Sequence, residues 1–377
     1  MLTALFWFSV AFVFYAYCGY PLLLLALSLF KGRPVEKGEI TPMVSFIITA
    51  YNEEKRIREK IENTLSQAYP ADRLEIIVAS DGSIDQTDEI VKSYSPKGVR
   101  LIRAPERMGK ENAQKLAVEA ASGEILVFSD VSTVLEAGGV KSIVRNFNDP
   151  TVGCVSSVDR VINPDGRIGG EGRYVRYEMF LRRLESRVNT LVGLSGSFFA
   201  ARREACFPWS ADLASDFNTL FNSVGIGLRG ILDPESVGSY RDLEDEKKEY
   251  HRKVRTVLRG IRVFMNHVYL LNPFQYGLFS WQLLSHKLFR WMVPFAMILA
   301  FVSNLFLAQG SFYYLAAFLI QVVFYTSALL GIWFDRLFIG SILKIFTYFV
   351  VVNLSILSAW YCYVRGEQFV KWEPSAR

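Results

Sequence analysis

The sequence predicts an α/β fold with a mostly parallel sheet, bracketed by transmembrane helices. Three observations point there. Apolar residues are segregated: of 377 residues, 51% are hydrophobic and 21% charged, and nearly charge-free runs occupy both ends while the middle carries most of the charge. The middle alternates short β-rich apolar runs with amphipathic helical stretches, the pattern of βαβ units. Successive apolar runs there end in Asn, Asp or Ser, at the strand ends where open parallel sheets bind ligands.

Leu2 to Phe30 is almost uncharged and, at about 1.5 Å per residue, long enough to cross a bilayer core. It lacks a basic leader and exceeds the apolar core of a signal peptide, about 7 to 15 residues, so it reads as a membrane helix spanning 1–31. Lys31, Arg33 and Lys37 follow at once, which by the positive-inside tendency places the next segment, 40–245, in the cytosol. Within it the expected strands are Val44–Thr49, Leu74–Ala79, Val99–Arg103 and Ile125–Ser129, short and apolar enough to be covered on both faces. Helices are expected over Glu53–Ala68, Gln86–Tyr94 and Lys110–Ala121. Residues 246–290 read as basic, amphipathic, interfacial helices, with Ser285, His286, Lys287 and Arg290 at headgroup level beside Trp281 and Trp291. Membrane helices fill 291–365, as spans Met292–Leu307, Phe312–Phe334 and Ile339–Val364, and 366–377 form a tail.

Composition also excludes. A net charge of +5 does not call for a nucleic-acid partner. Cys18, Cys154, Cys206 and Cys362 lack zinc-site spacing and read as small buried hydrophobes. No GxGxxG follows the first strand, which argues against a nicotinamide-binding Rossmann enzyme.

Three strand ends carry the chemistry. The first runs into Tyr51-Asn52-Glu53, which present side chains and free N–H groups to an anion, although Asn52 also suits a plain N-cap. The second ends Ser80-Asp81-Gly82-Ser83, where Asp81 can accept from a base N–H or a ribose hydroxyl, or simply form an Asx-turn. The third ends at Asp130, a carboxylate able to hold Mg²⁺ or Mn²⁺ against a diphosphate. One such Asp is usually structural; three converging strand ends are a different matter. Farther on, Arg252, Arg255, Arg259 and Arg262 recur with Lys248 at helical spacing and form a basic stripe opposite Val254, Leu258, Ile261 and Met265.

From about Val44 to Arg259 these motifs resemble glycosyltransferase family 2, in the membrane-integrated branch of cellulose, hyaluronan and poly-N-acetylglucosamine synthases. The resemblance implies a GT-A nucleotide-diphospho-sugar transferase fold. It implies that Ala50, Tyr51 and Glu53 line the nucleotide pocket, that Asp81 contacts uridine, and that Asp130 opens a DxD-type metal motif whose second carboxylate is missing in Asp130-Val131-Ser132-Thr133. Lys110 of the Gly109-Lys110 pair reaches donor phosphate or is a solvated helix start. Gly193 to Arg203, with Gly196 and Ser197, resembles the acceptor-side segment. Asp216 matches the acidic residue of the TED segment, the base that deprotonates an acceptor hydroxyl, with Asp212 the alternative and a helix cap the bland reading. Arg252 and Arg255 fall at the Gln and Arg of QxxRW, making Arg255 a diphosphate contact, while Thr256 replaces the Trp.

The expected function is thus metal-dependent, inverting transfer from a UDP-sugar to a growing polysaccharide or lipid-linked glycan at the cytosolic face of a plasma membrane. The alternatives are a single-transfer polyprenyl-phosphate glycosyltransferase and, in another class, a non-catalytic nucleotide-sugar-binding membrane scaffold.

Overall fold

The computed structural model describes residues 1–162, 173–241, 246–333 and 343–367. They divide into two compact units, one of residues 26–241 and 262–279, the other of 1–25, 246–261 and 280–367.

The first unit is built on a sheet. All four expected strands form: β1 (Val44–Ala50), β2 (Leu74–Ser80), β3 (Val99–Arg103) and β4 (Ile125–Asp130). They pair in parallel in the order β3-β2-β1-β4, and every residue of β1 is buried, as a strand covered on both faces requires. Four further strands lay outside the sequence reading: β5 (Val134–Leu135), β6 (Val152–Ile162), β7 (Phe198–Arg202) and β8 (Arg229–Arg241). Through them the sheet continues β4-β7-β6-β8-β5. β7 runs antiparallel to both β4 and β6, so the sheet is mixed.

Between β1 and β8 the described α-helices are α1 (Ile57–Leu65), α2 (Thr87–Lys92), α3 (Lys110–Ala120), α4 (Gly139–Val144), α5 (Arg173–Val188) and α6 (Ser215–Gly225). Ile57 and Ile61 of α1 pack with Phe46, Ile48 and Val127 of the sheet in one apolar core. Helix α1 is shorter than the expected Glu53–Ala68. At its start Asn52 takes a φ of 51°, and the Glu53 N–H goes to Thr87 Oγ1 at 2.7 Å, so the chain turns before it coils. At its end the Ala68 N–H leaves for the Ala137 carbonyl at 2.7 Å.

The second unit is helical. Together with the chain running into it, it supplies, among the described residues, four helices long and apolar enough to cross a membrane: Leu2–Phe30, Leu278–Leu307, Phe312–Ile332 and Ile345–Val364. The second begins at Leu278 rather than Met292, so the boundary expected at 290/291 falls inside one helix. Ser285, His286 and Arg290, expected among headgroups, are buried. Buried polar groups need partners: Ser285 Oγ lies 2.9 Å from Tyr15 Oη, Trp281 Nε1 donates to the same Tyr15 oxygen at 2.9 Å, and the Arg290 guanidinium covers the Tyr17 ring at 5.3 Å. The expected boundaries at 245, Phe334 and Ile339, and the tail from 368, lie outside the described residues. The four cysteines are free, with Cys154 and Cys206 buried.

Candidate active site

Strand register decides which side chains meet. Ala50 pairs with Ser80 across β1 and β2, and Thr49 with Asp130 across β1 and β4, so Tyr51, Asp81 and Asp130 leave the sheet along one edge. The buried Ala50 accepts from the Asp81 N–H at 2.9 Å. Asp81 is itself fully buried, and its carboxylate gathers the turn before α3: Oδ1 accepts from Met108 N at 2.9 Å, and both oxygens accept from Gly109 N at 3.0 Å. Burial pushes the Asp81 carboxyl above the usual range, against the pull of these N–H donors and of Arg107. Two glycines make the arrangement possible. Gly82, at φ 67°, lies where a Cβ would come within 3.0 Å of Arg107 N, and Gly109 takes φ 103°.

Around this turn stand the other residues of the first strand end. The Arg107 guanidinium covers the Tyr51 ring at 3.9 Å. Asn52 Oδ1 accepts from the Ile84 N–H at 2.9 Å, clamping the two strand-end loops together rather than capping α1. Glu53 is buried and ion-paired with Arg56 at 2.7 Å. Burial, first, and the nearby Asp130 and Asp85 charges raise its carboxyl above the usual value, with Arg56 opposing.

Asp130 is the centre of a second cluster. Lys110 Nζ lies 2.5 Å from Asp130 Oδ1 and donates to the Gly196 carbonyl at 3.2 Å. The Asp130 N–H donates to the Ser197 carbonyl at 3.0 Å. Asp216 stands in the first turn of α6, and its Oδ2 lies only 3.2 Å from where a Cβ on Gly196 would be. Gly196 is therefore the hinge of the site, with its carbonyl on Lys110 and its Cα face under the Asp216 carboxylate. Asp212, the alternative base, is exposed, and its N–H turns back to Ser210 Oγ at 3.4 Å.

With this geometry in place, comparison with known proteins is decisive. Residues 45–207 match the Glycosyl transferase family 2 profile. The chain carries a glycosyltransferase family 2 domain. Over 182 residues it is 26% identical to a poly-β-1,6-N-acetyl-D-glucosamine synthase of Staphylococcus aureus, covering 46% of this chain and 43% of that one. It is 35% identical over 128 residues to a probable glycosyltransferase of Bacillus subtilis, covering 32% and 30%. The chain spans less than half the length of these curated relatives. Among solved structures, a mannosyltransferase from Pyrobaculum calidifontis, in complex with GDP-Man and Mn²⁺, superposes with a TM-score of 0.72 at 23% identity, over 98% of this chain and 100% of that one. The fold is thus GT-A.

Several residues of the family 2 domain's site escaped the sequence reading. Lys60 of α1 is 2% exposed beneath Asp130. Its signal was a lysine within the apolar stripe of Ile57, Ile61 and Thr64. Asp159 of β6 receives the Ser195 hydroxyl at 2.7 Å and also that of Ser197, and Arg182 of α5 donates to Ser156 Oγ and, at 3.3 Å, to the Gly193 carbonyl. Together they brace the segment from Gly193 to Ser197. Arg252 and Arg255 are half-buried on the helix Glu246–Asn266, within the helical unit. The side chain of Lys248 lies outside the described residues, and Met265, expected on the apolar face, is 36% exposed.

Among the described residues no group of three or more His, Cys, Asp or Glu gathers around a metal position. Asp130 offers a single carboxylate, its side chain 24% exposed. That fits a hard cation such as Mg²⁺ or Mn²⁺, which keeps water and phosphate oxygens for most of its shell.

Proposed function

We propose that this chain is a membrane-bound inverting glycosyltransferase that moves a sugar from a UDP-sugar to a growing polysaccharide or lipid-linked acceptor, with its sheet domain in the cytosol. The observation carrying this reading is the meeting of Lys110, Asp130, Gly196 and Asp216 beside the Asp81 turn, at the edge where parallel strands bind nucleotides. The match to the family 2 profile and the polysaccharide-synthase relatives support it. The basic residues after the first apolar helix support the cytosolic placement.

In this reaction the Asp81 turn and Tyr51 cradle the nucleoside, with Ala50, Asn52 and Glu53 shaping the pocket wall. Lys110 turns from Asp130 to the diphosphate. Asp130 would hold a divalent cation, which when bound would supply positive charge against the departing diphosphate. Asp216 takes the proton from the acceptor hydroxyl as its oxygen bonds to the anomeric carbon. The glycosidic C–O bond to the diphosphate breaks on the opposite face, and the configuration inverts. The Gly193–Ser197 segment, without side chains at Gly193 and Gly196, lets the acceptor approach closely.

One feature favours a second reading within the same chemistry. Thr256 stands where polymerising relatives of the family are expected to carry Trp, which favours a single transfer to a polyprenyl phosphate. The test is a screen of UDP- and GDP-sugars with membranes of an expressing host, scored by product mass. A ladder of products supports polymerisation and one product a single transfer. If no donor is consumed, with Asp216→Asn indistinguishable from wild type, the proposal fails and the scaffold alternative stands.

A further inference from the structure

Helix α1 presents a polar seam to the chain leaving β4. Lys60 Nζ donates to Ser129 Oγ at 2.7 Å and to the Thr133 carbonyl at 2.6 Å. One turn on, Asn63 Nδ2 donates to the Leu135 carbonyl at 2.8 Å and Asn63 Oδ1 accepts from the Leu135 N–H at 3.0 Å. Two residues past the end of α1, Gln67 Oε1 accepts from the Val140 N–H at 3.1 Å. Positions 60 and 63 share one face of α1 and Gln67 follows just past its end, so α1 and its exit hold residues 129 to 140 at three points.

The Lys60 end of this seam is unlike the rest. Asp130 to Thr133 is a turn closed by the Thr133 N–H on the Asp130 carbonyl at 3.1 Å. Lys60 bonds the residue just before that turn and the last residue in it. A lysine this deeply buried is rare, because its desolvation disfavours the charged form, which drops its pKa to about 7 even though the Asp130 charge opposes this. An uncharged residue of the same length would avoid that cost. Lys60 is therefore placed where only its hydrogen bonds, its charge, or both are of use.

We propose that Lys60 is a positioning residue for Asp130: it pins the Asp130–Thr133 turn from beneath, so that a lone carboxylate, without the second acidic residue of a DxD motif, is held toward the donor's diphosphate and its cation. The proposal rests on the functional reading above. Lys60 touches neither donor nor acceptor; it acts through the turn.

The experiment uses the full chain in detergent and measures Mn²⁺ binding with UDP by electron paramagnetic resonance, beside thermal unfolding. Lys60→Met keeps length and removes both donors; Asn63→Ala loosens the far end of the same seam. The expected result is that Lys60→Met, among folded molecules, binds Mn²⁺ with UDP at least tenfold more weakly, while Asn63→Ala lowers the unfolding temperature and binds within twofold of wild type. A folded Lys60→Met variant that binds as wild type does, or more tightly as the loss of a nearby positive charge alone would cause, overturns the proposal. Should Lys60→Met not fold, Ser129→Ala removes one bond of the pair, with a threefold weakening expected and unchanged binding overturning it. Wild type that binds no Mn²⁺ with UDP would instead sink the functional reading, so the two failures are distinguishable.

Discussion

Replacing Gly196 by alanine tests whether Asp216 is the base. A methyl there would lie 3.2 Å from Asp216 Oδ2 and 3.7 Å from its carboxyl carbon, where ordinary contact begins at 3.4 Å. The carboxylate must retreat by about 0.2 Å. A misplacement of about 1 Å in a reacting group can cost roughly 100-fold, so on a logarithmic scale about 0.2 Å predicts a loss of about 2.5-fold in kcat, or about 0.5 kcal/mol. Asp216→Asn, which removes the base altogether, should cost about 100-fold or more, at least about 2.7 kcal/mol. The discriminating measurement is the double variant at saturating acceptor. If the methyl acts through the carboxylate, Gly196→Ala adds nothing once Asp216 is Asn. Two losses that multiply, or a Gly196→Ala enzyme at full rate, would refute the reasoning.

Other outcomes follow from the same geometry. Asp81→Ala strands the buried Gly109 N–H and frees the more exposed Met108 N–H, which should lower stability by about 1–3 kcal/mol in thermal or denaturant unfolding and raise the donor KM; Asp81→Asn, keeping an acceptor at Oδ1, should do less. Chelation should stop transfer and added Mn²⁺ or Mg²⁺ restore it, read by UDP release; full activity in chelator would remove Asp130 from its role. Burial raises the Asp149 carboxyl, but the Thr151 hydroxyl and N–H and the Arg229 guanidinium outweigh it and hold the group at about 2. Because the folded value lies below the unfolded one, the pair's contribution of about 2 kcal/mol is present above about pH 4 and lost as pH falls through about 2. Asp149→Asn should therefore be less stable than wild type at pH 6 and converge with it under acid, followed by unfolding at fixed pH.

What the amino-acid order determined by itself was local. Val44–Ala50, Leu74–Ser80, Val99–Arg103 and Ile125–Asp130 are apolar enough to be buried on both faces, and parallel pairing of such strands brings their polar ends to one edge, so Tyr51, Asp81 and Asp130 could be placed together before any coordinates. The other half of the sheet was hidden because its strands are mixed in character. β6 carries Asp159 and Arg160 along its half-exposed end, and β8 contains Pro234 and Glu235, where its pairing with β6 slips register. Their stabilisation comes from partners far along the chain, which a window of neighbouring residues does not see.

The same limit applies to the site. A carboxylate, a lysine and a glycine announce what chemistry they can do, but not which of them will touch. Asp216 lies over Gly196, Lys110 lies on Asp130, and Lys60 reaches Ser129 across 69 positions of sequence, because the closing of the sheet brings these segments together. Tertiary structure alone decided that Asp81 spends its oxygens on the Met108–Gly109 turn and that Asp130 is braced from below, since both follow from long-range register and burial rather than from any local preference of the chain.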